Sequence, residues 1–437
     1  MTTTTCIRMP SSGQIAFGAH VFLALAPMGR RFLLSVFLFA LFAAAPAAEA
    51  VDYSQAANAA YEMEDYETAF SLFLKIARQG KATAQFNAAV MLQHGRGVAQ
   101  SYEEAVQWYI RAALQGHSSA QNNLGVMFEN GTGVTQDYEK AVGWYMRAAE
   151  QGHADAQNNL GLAYRSGKGV LKNETLAQRW FIVAAGQEHP DALYNLGNSY
   201  RYGRGVPKND GEAVFWFRMA ATRGQATAQN ELGTMYAEGH GVRQNYRKAA
   251  SWYLKACRQG LAAAQFNLGN LYRHGKGVPR DKQRALYWFQ KAAEQDNVAA
   301  MNNVGVIYLN GEGVQKDEPV AAEWFRRAAR AGSTSAQFNL GNMYWRGSGV
   351  PKDGRTALYW YRQAAERGHP QAQNKMGVVH VNGENANVDF TQAYVWFSLS
   401  ASHGNEFALE NLKAMEAKMS PERIAEARRL VRKWEAR

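Results

Sequence analysis

Apolar and polar positions along this chain follow one pattern that repeats every 36 residues. Tryptophan marks it without any insertion at Trp108, Trp144, Trp180, Trp216, Trp252, Trp288, Trp324, Trp360 and Trp396. Aligned on these tryptophans, equivalent units begin at Ala84, Ala120, Ala156, Ala192, Ala228, Ala264, Ala300, Ala336 and Ala372. A fixed period of this length indicates a solenoid, in which each unit packs only on its neighbours. The period therefore overrides the division into two or three globular domains that a length of 437 residues would suggest.

Each unit is predicted to form two helices. In the unit that begins at Ala120, apolar residues at helical spacing predict a first helix, helix A, over about 120–130. Gly131, present at this position in all nine units, suits the left-handed residue after a helix end. The position of Asp137 is Ser, Asn or Asp in every unit, which predicts the N-cap of a second helix, helix B. Gly152 is the expected end of helix B.

A glycine inside helix A recurs in eight of the nine units, as Gly125 illustrates, and Ala89 takes its place in the first. Glycine costs about 1 kcal/mol relative to alanine in a helix interior, so its recurrence indicates a steric need. We expect the close approach of helix A to the tryptophan of helix B, which would place the tryptophan series in the core. Asparagine recurs two positions before this glycine; a structural ladder that caps backbone groups is favoured over a ligand clamp.

Both ends of the array depart from the pattern. Residues 51–83 hold an incomplete unit, which predicts an N-terminal capping helical pair, and residues 84–407 hold the nine repeats. Residues 408–437 are predicted to form C-terminal capping helices, since terminal repeats must present a polar outer face. The predicted fold is all-α: a right-handed α-solenoid of nine 36-residue helix-turn-helix repeats with capping helices at both ends.

These residues resemble the Sel1-like repeat family, relatives of the tetratricopeptide repeats with a longer loop between the helices. The matching signature is A-x-x-x-L-G-x-x-Y-x-x-G-x-G-V followed by A-x-x-W-[YF]-x-x-A-A-x-x-G. The unit at 264–297 carries it as Ala264, Leu268, Gly269, Tyr272, Gly275, Gly277, Val278, Ala285, Trp288, Phe289, Ala292 and Ala293. The resemblance covers about 52–415. Departures are local: Glu188 and Asp296 replace the glycine that ends helix B, and Asn385-Ala386 replaces Gly-Val in the last loop.

The N-terminus has the pattern of an export signal. Arg30 and Arg31 precede an apolar run over 32–45, and Ala48 and Ala50 form an Ala-x-Ala cleavage site. The run is shorter than the roughly 20 residues of a membrane-spanning helix. We therefore predict a signal peptide over 1–50 and no stable membrane span after cleavage; an uncleaved signal anchor is the alternative. The long stretch before Met28 favours Met28 as the true start. With the family resemblance, the signal indicates a periplasmic or secreted bacterial protein exported by the general secretory route.

Charge and chemistry exclude several function classes. The formal net charge is +11, but basic residues alternate with acids in every unit, so no nucleic-acid groove is expected. Cys257 is the only cysteine beyond the leader, and it replaces a core alanine, so no internal disulfide is possible and a buried thiol is expected. No catalytic or phosphate-binding motif occurs. The histidines at 117, 153, 189, 369 and 403, assigned to one repeat position, would lie too far apart to share a metal ion. We predict no catalytic residues, no metal and no cofactor.

Binding is predicted on the face of helix A that varies between units, at the third, seventh, tenth and eleventh positions of each unit, because helix A usually lines the concave side of such solenoids. We call these positions the helix A ridge. Its richest members are Tyr194, Asn198, Arg201, Tyr202, Phe266, Asn270, Arg273, His274, Phe338, Asn342, Trp345 and Arg346. Tyr, Trp, Phe and Arg are common interface anchors. For Phe266 and Phe338, packing between helices is an equal alternative.

The sequence thus predicts a scaffold or adaptor that binds an envelope protein or a peptide and does not act as an enzyme. Aromatic ridges also stack on sugar rings, so binding of cell-wall polysaccharide is the alternative. Hydrolysis of a β-lactam or a glycan is a weaker alternative that only the family resemblance implies.

Overall fold

The computed structural model describes residues 53–383 and 388–435, in which every regular element is an α-helix. The predicted leader over 1–50 and the Asn385-Ala386 loop lie outside the described residues. In chain order the helices are α1 Tyr53–Glu62, α2 Tyr66–Arg78, α3 Ala82–His94, α4 Tyr102–Leu114, α5 Ser118–Asn130, α6 Tyr138–Glu150, α7 Ala154–Ser166, α8 Glu174–Gly186, α9 Pro190–Tyr202, α10 Asp210–Thr222, α11 Ala226–Glu238, α12 Tyr246–Arg258, α13 Ala262–His274, α14 Lys282–Ala293, α15 Val298–Asn310, α16 Glu318–Arg330, α17 Thr334–Arg346, α18 Gly354–Glu366, α19 Pro370–Asn382, α20 Phe390–Ser402, α21 Glu406–Glu416 and α22 Pro421–Glu435.

The helices form an all-α repeat solenoid, as predicted. From α3 to α20, odd-numbered helices are helix A of a unit and even-numbered helices are helix B, and each helix packs on the helices before and after it. The core is a series of clusters along the array, without a single centre. At the C-terminal end α22 packs back on α20, with the rings of Trp396 and Trp434 5.3 Å apart. Among the described helices, none is long and apolar enough to cross a membrane.

The predicted helix boundaries are set by the side chains that suggested them. Asp137 accepts a hydrogen bond from the backbone N–H of Lys140 at 2.9 Å, and the equivalent residue caps helix B in all nine units. Gly131 adopts the left-handed conformation, with φ of +69°. Helix A begins at Ser118, two residues earlier than predicted. Glu188 and Asp296, which replace the glycine after helix B, also have positive φ values of 62° and 59°.

The glycine inside helix A does allow a close approach, but the partner is not the predicted tryptophan. A Cβ atom added to Gly125 would lie 2.6 Å from the ring of Tyr145, the residue after Trp144. Tyr145 is 1% exposed, and the residue after tryptophan is a buried Tyr or Phe in every unit. The core position of helix B therefore belongs to this second aromatic residue.

The prediction that the tryptophans form the core was wrong for eight of the nine. They are only half-buried, and Trp396 alone among them is buried. Consecutive residues on a helix are rotated by about 100°, so the two rings cannot face the same neighbour. Four tryptophans are covered by a cation from the next turn of the same helix: Arg111 over Trp108, Arg147 over Trp144, Lys255 over Trp252 and Arg327 over Trp324. The tryptophan series lies at the edge of the core.

Cys257 lies in the core, as predicted from the alanines at its position. It is 5% exposed, and burial raises the pKa of its thiol to about 12. The thiol is therefore neutral near pH 7, which makes it a poor nucleophile.

A buried glutamine at the second position of seven of the nine units joins consecutive units. Its side-chain amide donates to a carbonyl at the end of the preceding helix B at 3.0–3.2 Å, in the pairs Gln85–Ala77, Gln121–Ala113, Gln157–Ala149, Gln229–Ala221, Gln337–Ala329 and Gln373–Ala365. Its oxygen accepts from a side chain 30 residues ahead, in the pairs Gln85–Gln115, Gln121–Gln151, Gln157–Gln187, Gln229–Gln259, Gln265–Gln295 and Gln373–His403. A buried amide needs such partners, so this network sets how units join.

Three joints depart from this network: Leu193 and Met301 replace the glutamine in two of them, and Arg367 lies 30 positions after Gln337 in the third. At Arg367 the guanidinium donates to the carbonyl of Gly332 at 2.9 Å instead of to Gln337. The side-chain oxygen of Gln337 consequently accepts no hydrogen bond from any described residue. A buried oxygen without a hydrogen bond lowers the free energy of unfolding, so this joint is less stable than the others of the network.

Four histidines have a structural role at the start of helix A. The Nδ1 atoms of His117, His153, His189 and His369 accept hydrogen bonds from the backbone N–H three residues ahead at 3.2–3.4 Å. Their assignment to one position together with His403 was wrong, because His403 lies two residues earlier in its unit and replaces a glutamine of the joint. The neutral ring is the capping form, because a protonated Nδ1 cannot accept.

We predict that Gly125→Ala destabilises the protein by about 1–3 kcal/mol, because the added methyl group overpacks Tyr145 even though alanine favours a helix. Gly143→Ala is the matched control in the same unit: no atom lies within 4 Å of its Cβ position, so we expect a gain of about 0.5–1 kcal/mol. Urea denaturation measures both. Equal stabilisation by the two changes would contradict the close approach.

We also predict that stability falls as the pH drops below about 6.5, the ordinary pKa of histidine. Burial lowers the pKa of His117, His153 and His369 in the folded state, against smaller effects such as the charge of Asp155 beside His153. The unfolded chain then binds more protons, so the contribution is complete above the unfolded pKa and is lost as pH falls through the folded values. Each lost cap costs about 1 kcal/mol.

Thermal midpoints measured between about pH 7 and pH 5 test this dependence. A triple variant with His117, His153 and His369 changed to asparagine is the control, because Asn297 already caps helix A at this position, accepting from Ala300 at 2.9 Å. The variant should lose less stability in acid than the wild type. The same acid response in both proteins would assign it to carboxylates instead.

Candidate interaction face on helix A

The twelve predicted binding residues lie on three helices, α9, α13 and α17, each the helix A of its unit. These helices are separated by one intervening unit in each case. The local sequence places the third, seventh, tenth and eleventh positions on one face, because they follow helical spacing. Their surroundings divide them into packed, ion-paired and exposed groups.

The aromatic residues at the third position pack inward. Their rings contact the buried aromatic residue of helix B in the same unit, with centroids 5.8 Å apart in the pairs Tyr194–Phe217, Phe266–Phe289 and Phe338–Tyr361. Phe338 also stacks on His369, the N-cap of the next helix A, at 4.9 Å. All three are half-buried, so much of their surface supports the joint between helices. This geometry favours the packing alternative for Phe266 and Phe338.

The residues at the seventh position are half-buried asparagines, Asn198, Asn270 and Asn342. Asn342 accepts a hydrogen bond from the Tyr361 hydroxyl at 2.8 Å, which ties helix A to helix B.

Asparagines at the third and fourth positions form a ladder between successive helices A. The later side chain donates to the earlier one at 2.9–3.2 Å in the pairs Asn159–Asn122, Asn195–Asn158, Asn267–Asn230, Asn339–Asn302 and Asn411–Asn374. The expected ladder is therefore present, but it joins side chains of neighbouring units, and it does not cap backbone groups as predicted.

Two of the predicted arginines form ion pairs with the following units. Arg201 pairs with Glu231, and both side chains are mostly buried. Arg273 makes a two-pronged contact with Glu312, with Nε and one terminal nitrogen 3.3 and 3.0 Å from its carboxylate oxygens. Hydrogen bonds from Arg273 and Asn310 lower the pKa of Glu312 against the opposing effect of burial, which is the largest single influence. These two arginines are engaged within the chain.

The residues at the eleventh position are the exposed part of the ridge. Tyr202 is 55% exposed, and its ring lies 5.5 Å from the guanidinium of Arg201 and 5.0 Å from that of Arg204. His274 and Arg346 are exposed at the same position of later units, and Trp345 beside Arg346 is half-buried. The surface available to a partner is thus the C-terminal end of each helix A and the loop that follows.

The structure also exposes aromatic residues that the sequence reasoning missed. Phe215, Tyr287 and Tyr359 precede the tryptophan of helix B and are 50%, 52% and 56% exposed. Each meets the edge of the following tryptophan ring at 5.0–5.1 Å. Their spacing of 72 residues, two units, was the available signal.

The same two-unit period organises the ridge. The units at Ala192, Ala264 and Ala336 share an aromatic third residue, an asparagine at the seventh position, a loop proline and the exposed aromatic residue of helix B. The two units between them, which begin at Ala228 and Ala300, have none of these four features. Candidate binding residues therefore recur on every second unit. Within the described residues, no group of three or more His, Cys, Asp or Glu side chains is arranged to hold a metal ion.

The repeats match a known protein family. The family model for the Sel1 repeat matches residues 62–81 and then nine consecutive 36-residue segments from 82 to 405. The shorter first match falls in the incomplete N-terminal unit. No curated protein matches the chain.

Two solved structures are similar over most of their length. One is c5321, a protective antigen present in uropathogenic Escherichia coli strains; it is 34% identical, with 84% of this chain and 87% of that chain covered and a TM-score of 0.52. The other is a Sel1 repeat protein from Oxalobacter formigenes; it is 31% identical, with 78% of this chain and 99% of that chain covered and a TM-score of 0.54.

A pair of substitutions separates packing from binding on the ridge. We predict that Phe266→Ala costs about 2 kcal/mol of stability, since it removes a half-buried ring from the joint with Phe289. Tyr202→Ala should change stability by less than about 0.5 kcal/mol, because most of its ring already faces water. Chemical denaturation of the two variants checks this. A large loss for Tyr202→Ala would mean that its ring also supports the fold.

Proposed function

The chain belongs to the Sel1 repeat family, whose members are generally protein-interaction scaffolds and typically non-catalytic, and from that premise we propose that it is an exported bacterial adaptor that binds an envelope protein or peptide through the helix A ridge. The observation that carries the proposal is the exposed group at the eleventh position. Tyr202, His274 and Arg346 project from equivalent places on every second unit, whereas the neighbouring aromatic and arginine side chains are engaged within the fold.

The chemistry of this group supports protein binding. Tyrosine and arginine are enriched at interface hot spots, where a rigid ring or a planar guanidinium is held in place before the partner arrives. Tyr202 is held between Arg201 and Arg204, and Arg201 is itself fixed by Glu231. A partner that covers Tyr202 therefore loses little side-chain freedom.

Export is part of the proposal and rests on the sequence of the leader. The basic pair Arg30-Arg31, the apolar run and the Ala48-x-Ala50 site together favour cleavage after Ala50 and release into the periplasm or the medium. The partner would then be an envelope or extracellular protein.

Binding of cell-wall polysaccharide is the second candidate, and a different surface favours it. Phe215, Tyr287 and Tyr359 offer exposed rings on helix B at a regular interval of two units. A regular array of rings suits a ligand that is itself a repeating polymer. The two candidates therefore use different helices and can be tested separately.

The experiment is crosslinking and affinity capture with the mature chain, Val51 to Arg437, in its native envelope. The ridge variant changes Tyr202, His274 and Arg346 to alanine, and the matched control changes Phe215, Tyr287 and Tyr359 to alanine. We expect a protein that the wild type and the control enrich at least about tenfold over the ridge variant, as loss of hot-spot residues predicts. Equal capture by all three forms would contradict the ridge. Sedimentation with cell wall that only the helix B variant loses would favour the polysaccharide instead.

A further inference from the structure

Three units carry an arginine at their tenth position, near the end of helix A: Arg165, Arg201 and Arg273. Repeat symmetry gives the three side chains the same starting point on their helices. Two of them form ion pairs within the chain. Arg201 pairs with Glu231, 30 positions ahead, and Arg273 pairs with Glu312, 39 positions ahead. The third can be compared with them position by position.

Arg165 has no carboxylate at either place. The residue 30 positions ahead is Asn195, whose side-chain oxygen accepts a hydrogen bond from Arg165 at 3.0 Å. The residue 39 positions ahead is Arg204, a second positive charge where Arg273 has Glu312. The Arg165 guanidinium is thus held by a neutral amide and faces a like charge.

The surroundings of Arg165 do not neutralise it. Its guanidinium lies 5.5 Å from the ring of Phe181, and burial, followed by the charge of Arg204, lowers its pKa, partly offset by Tyr194 and Glu174. Glu174 is the carboxylate whose charge acts on Arg165, but Lys172 already pairs with it at 3.2 Å. Among the described residues, no carboxylate comes within ion-pair distance of Arg165 or Arg204.

The neighbouring exposed groups extend the positive charge into a surface. Arg204 is exposed and lies over the ring of Tyr202, which is exposed as well. An incoming group would therefore meet a half-buried arginine, an exposed arginine and an exposed aromatic ring from two adjacent units. We call this set, Arg165, Tyr202 and Arg204, the cationic patch.

We propose that the cationic patch binds a carboxylate from an acidic segment of the partner protein. This rests on the proposed function and names the chemistry that the ridge recognises. A carboxylate is favoured over a phosphate because the equivalent arginines, Arg201 and Arg273, each take a glutamate. Arg273 shows the two-pronged geometry that a guanidinium offers to a carboxylate. The partner's glutamate or aspartate pairs with both Arg165 and Arg204, with the adjoining peptide over Tyr202.

The repeat supplies matched variants for the test. Arg204→Glu places a carboxylate where Glu312 stands relative to Arg273, so the chain itself then supplies the partner of Arg165. Glu312→Arg does the reverse: it gives Arg273 the same arginine neighbour that Arg165 has, although Asn310 stands where Tyr202 does. Arg243→Glu, in an exposed loop elsewhere, changes the net charge as much as Arg204→Glu does. Circular dichroism and thermal midpoints establish that each variant is folded.

The probe is a fluorescent peptide of glutamates with one aromatic residue, and its binding to the purified mature chain is measured by anisotropy. We expect Arg204→Glu to weaken binding about tenfold at low salt, and Arg243→Glu to weaken it by less than about twofold. Glu312→Arg should add a second, weaker site, because that site has two arginines but no aromatic ring. If Glu312→Arg fails to fold, Arg165→Gln replaces it, with the expectation of weaker binding.

Equal loss with Arg204→Glu and Arg243→Glu would overturn the proposal, because it would reduce binding to overall charge. Displacement of the peptide by inorganic phosphate in modest molar excess, or tighter binding of an acidic polysaccharide than of the peptide, would also overturn it. A failure here is distinct from a failure of the proposed function. If the native partner is captured through the ridge but the acidic peptide does not bind, the adaptor function stands and only the carboxylate assignment falls.

Discussion

The contact between a glycine of helix A and a fully buried ring of helix B is the constraint on which the rest of this solenoid depends. At Gly125 the ring of Tyr145 occupies the space that any side chain would need. The helices of a unit can therefore lie closer together than ordinary side chains permit, and the glycine accepts a helix-propensity cost of about 1 kcal/mol to allow it. Because eight units repeat this contact, the units share one internal geometry. Every regular feature of the surface follows from that repetition.

Polar side chains then set how one unit joins the next. The glutamine of helix A donates a hydrogen bond to a carbonyl at the end of the preceding helix B, and the asparagine ladder connects successive helices A. These groups are buried or half-buried, so each requires its partners in place, and a unit in another register would leave them unsatisfied. The histidine caps act at the same joints. The core supplies most of the stabilisation, while the polar joints supply the register.

Ion pairing across units decides which part of the ridge remains free for a partner. Arg201 and Arg273 are neutralised by glutamates from later units, whereas Arg165 and Arg204 meet without an acid between them. At this joint two positive charges therefore remain without a carboxylate partner. The units at Ala192, Ala264 and Ala336 share features that the units between them lack. The exposed aromatic and basic side chains offered to a partner therefore repeat every second unit, whereas the fold repeats every unit.

The sequence by itself determined the helical pairs, their boundaries and the solenoid. These depend on local chemistry that each unit repeats: Asp137 caps its own helix, Gly131 ends one, and periodicity needs no long-range information.

Only the tertiary structure decided what those helices bury. It placed Tyr145 in the core and left Trp144 at its edge, because one residue turns a side chain by about 100° and a conspicuous residue type does not reveal which face meets a neighbour. It also decided that Phe266 and Arg273 are engaged within the fold while Tyr202 is exposed, since their partners Phe289 and Glu312 come from other helices. Contacts between units depend on distances that the pattern within a unit does not contain.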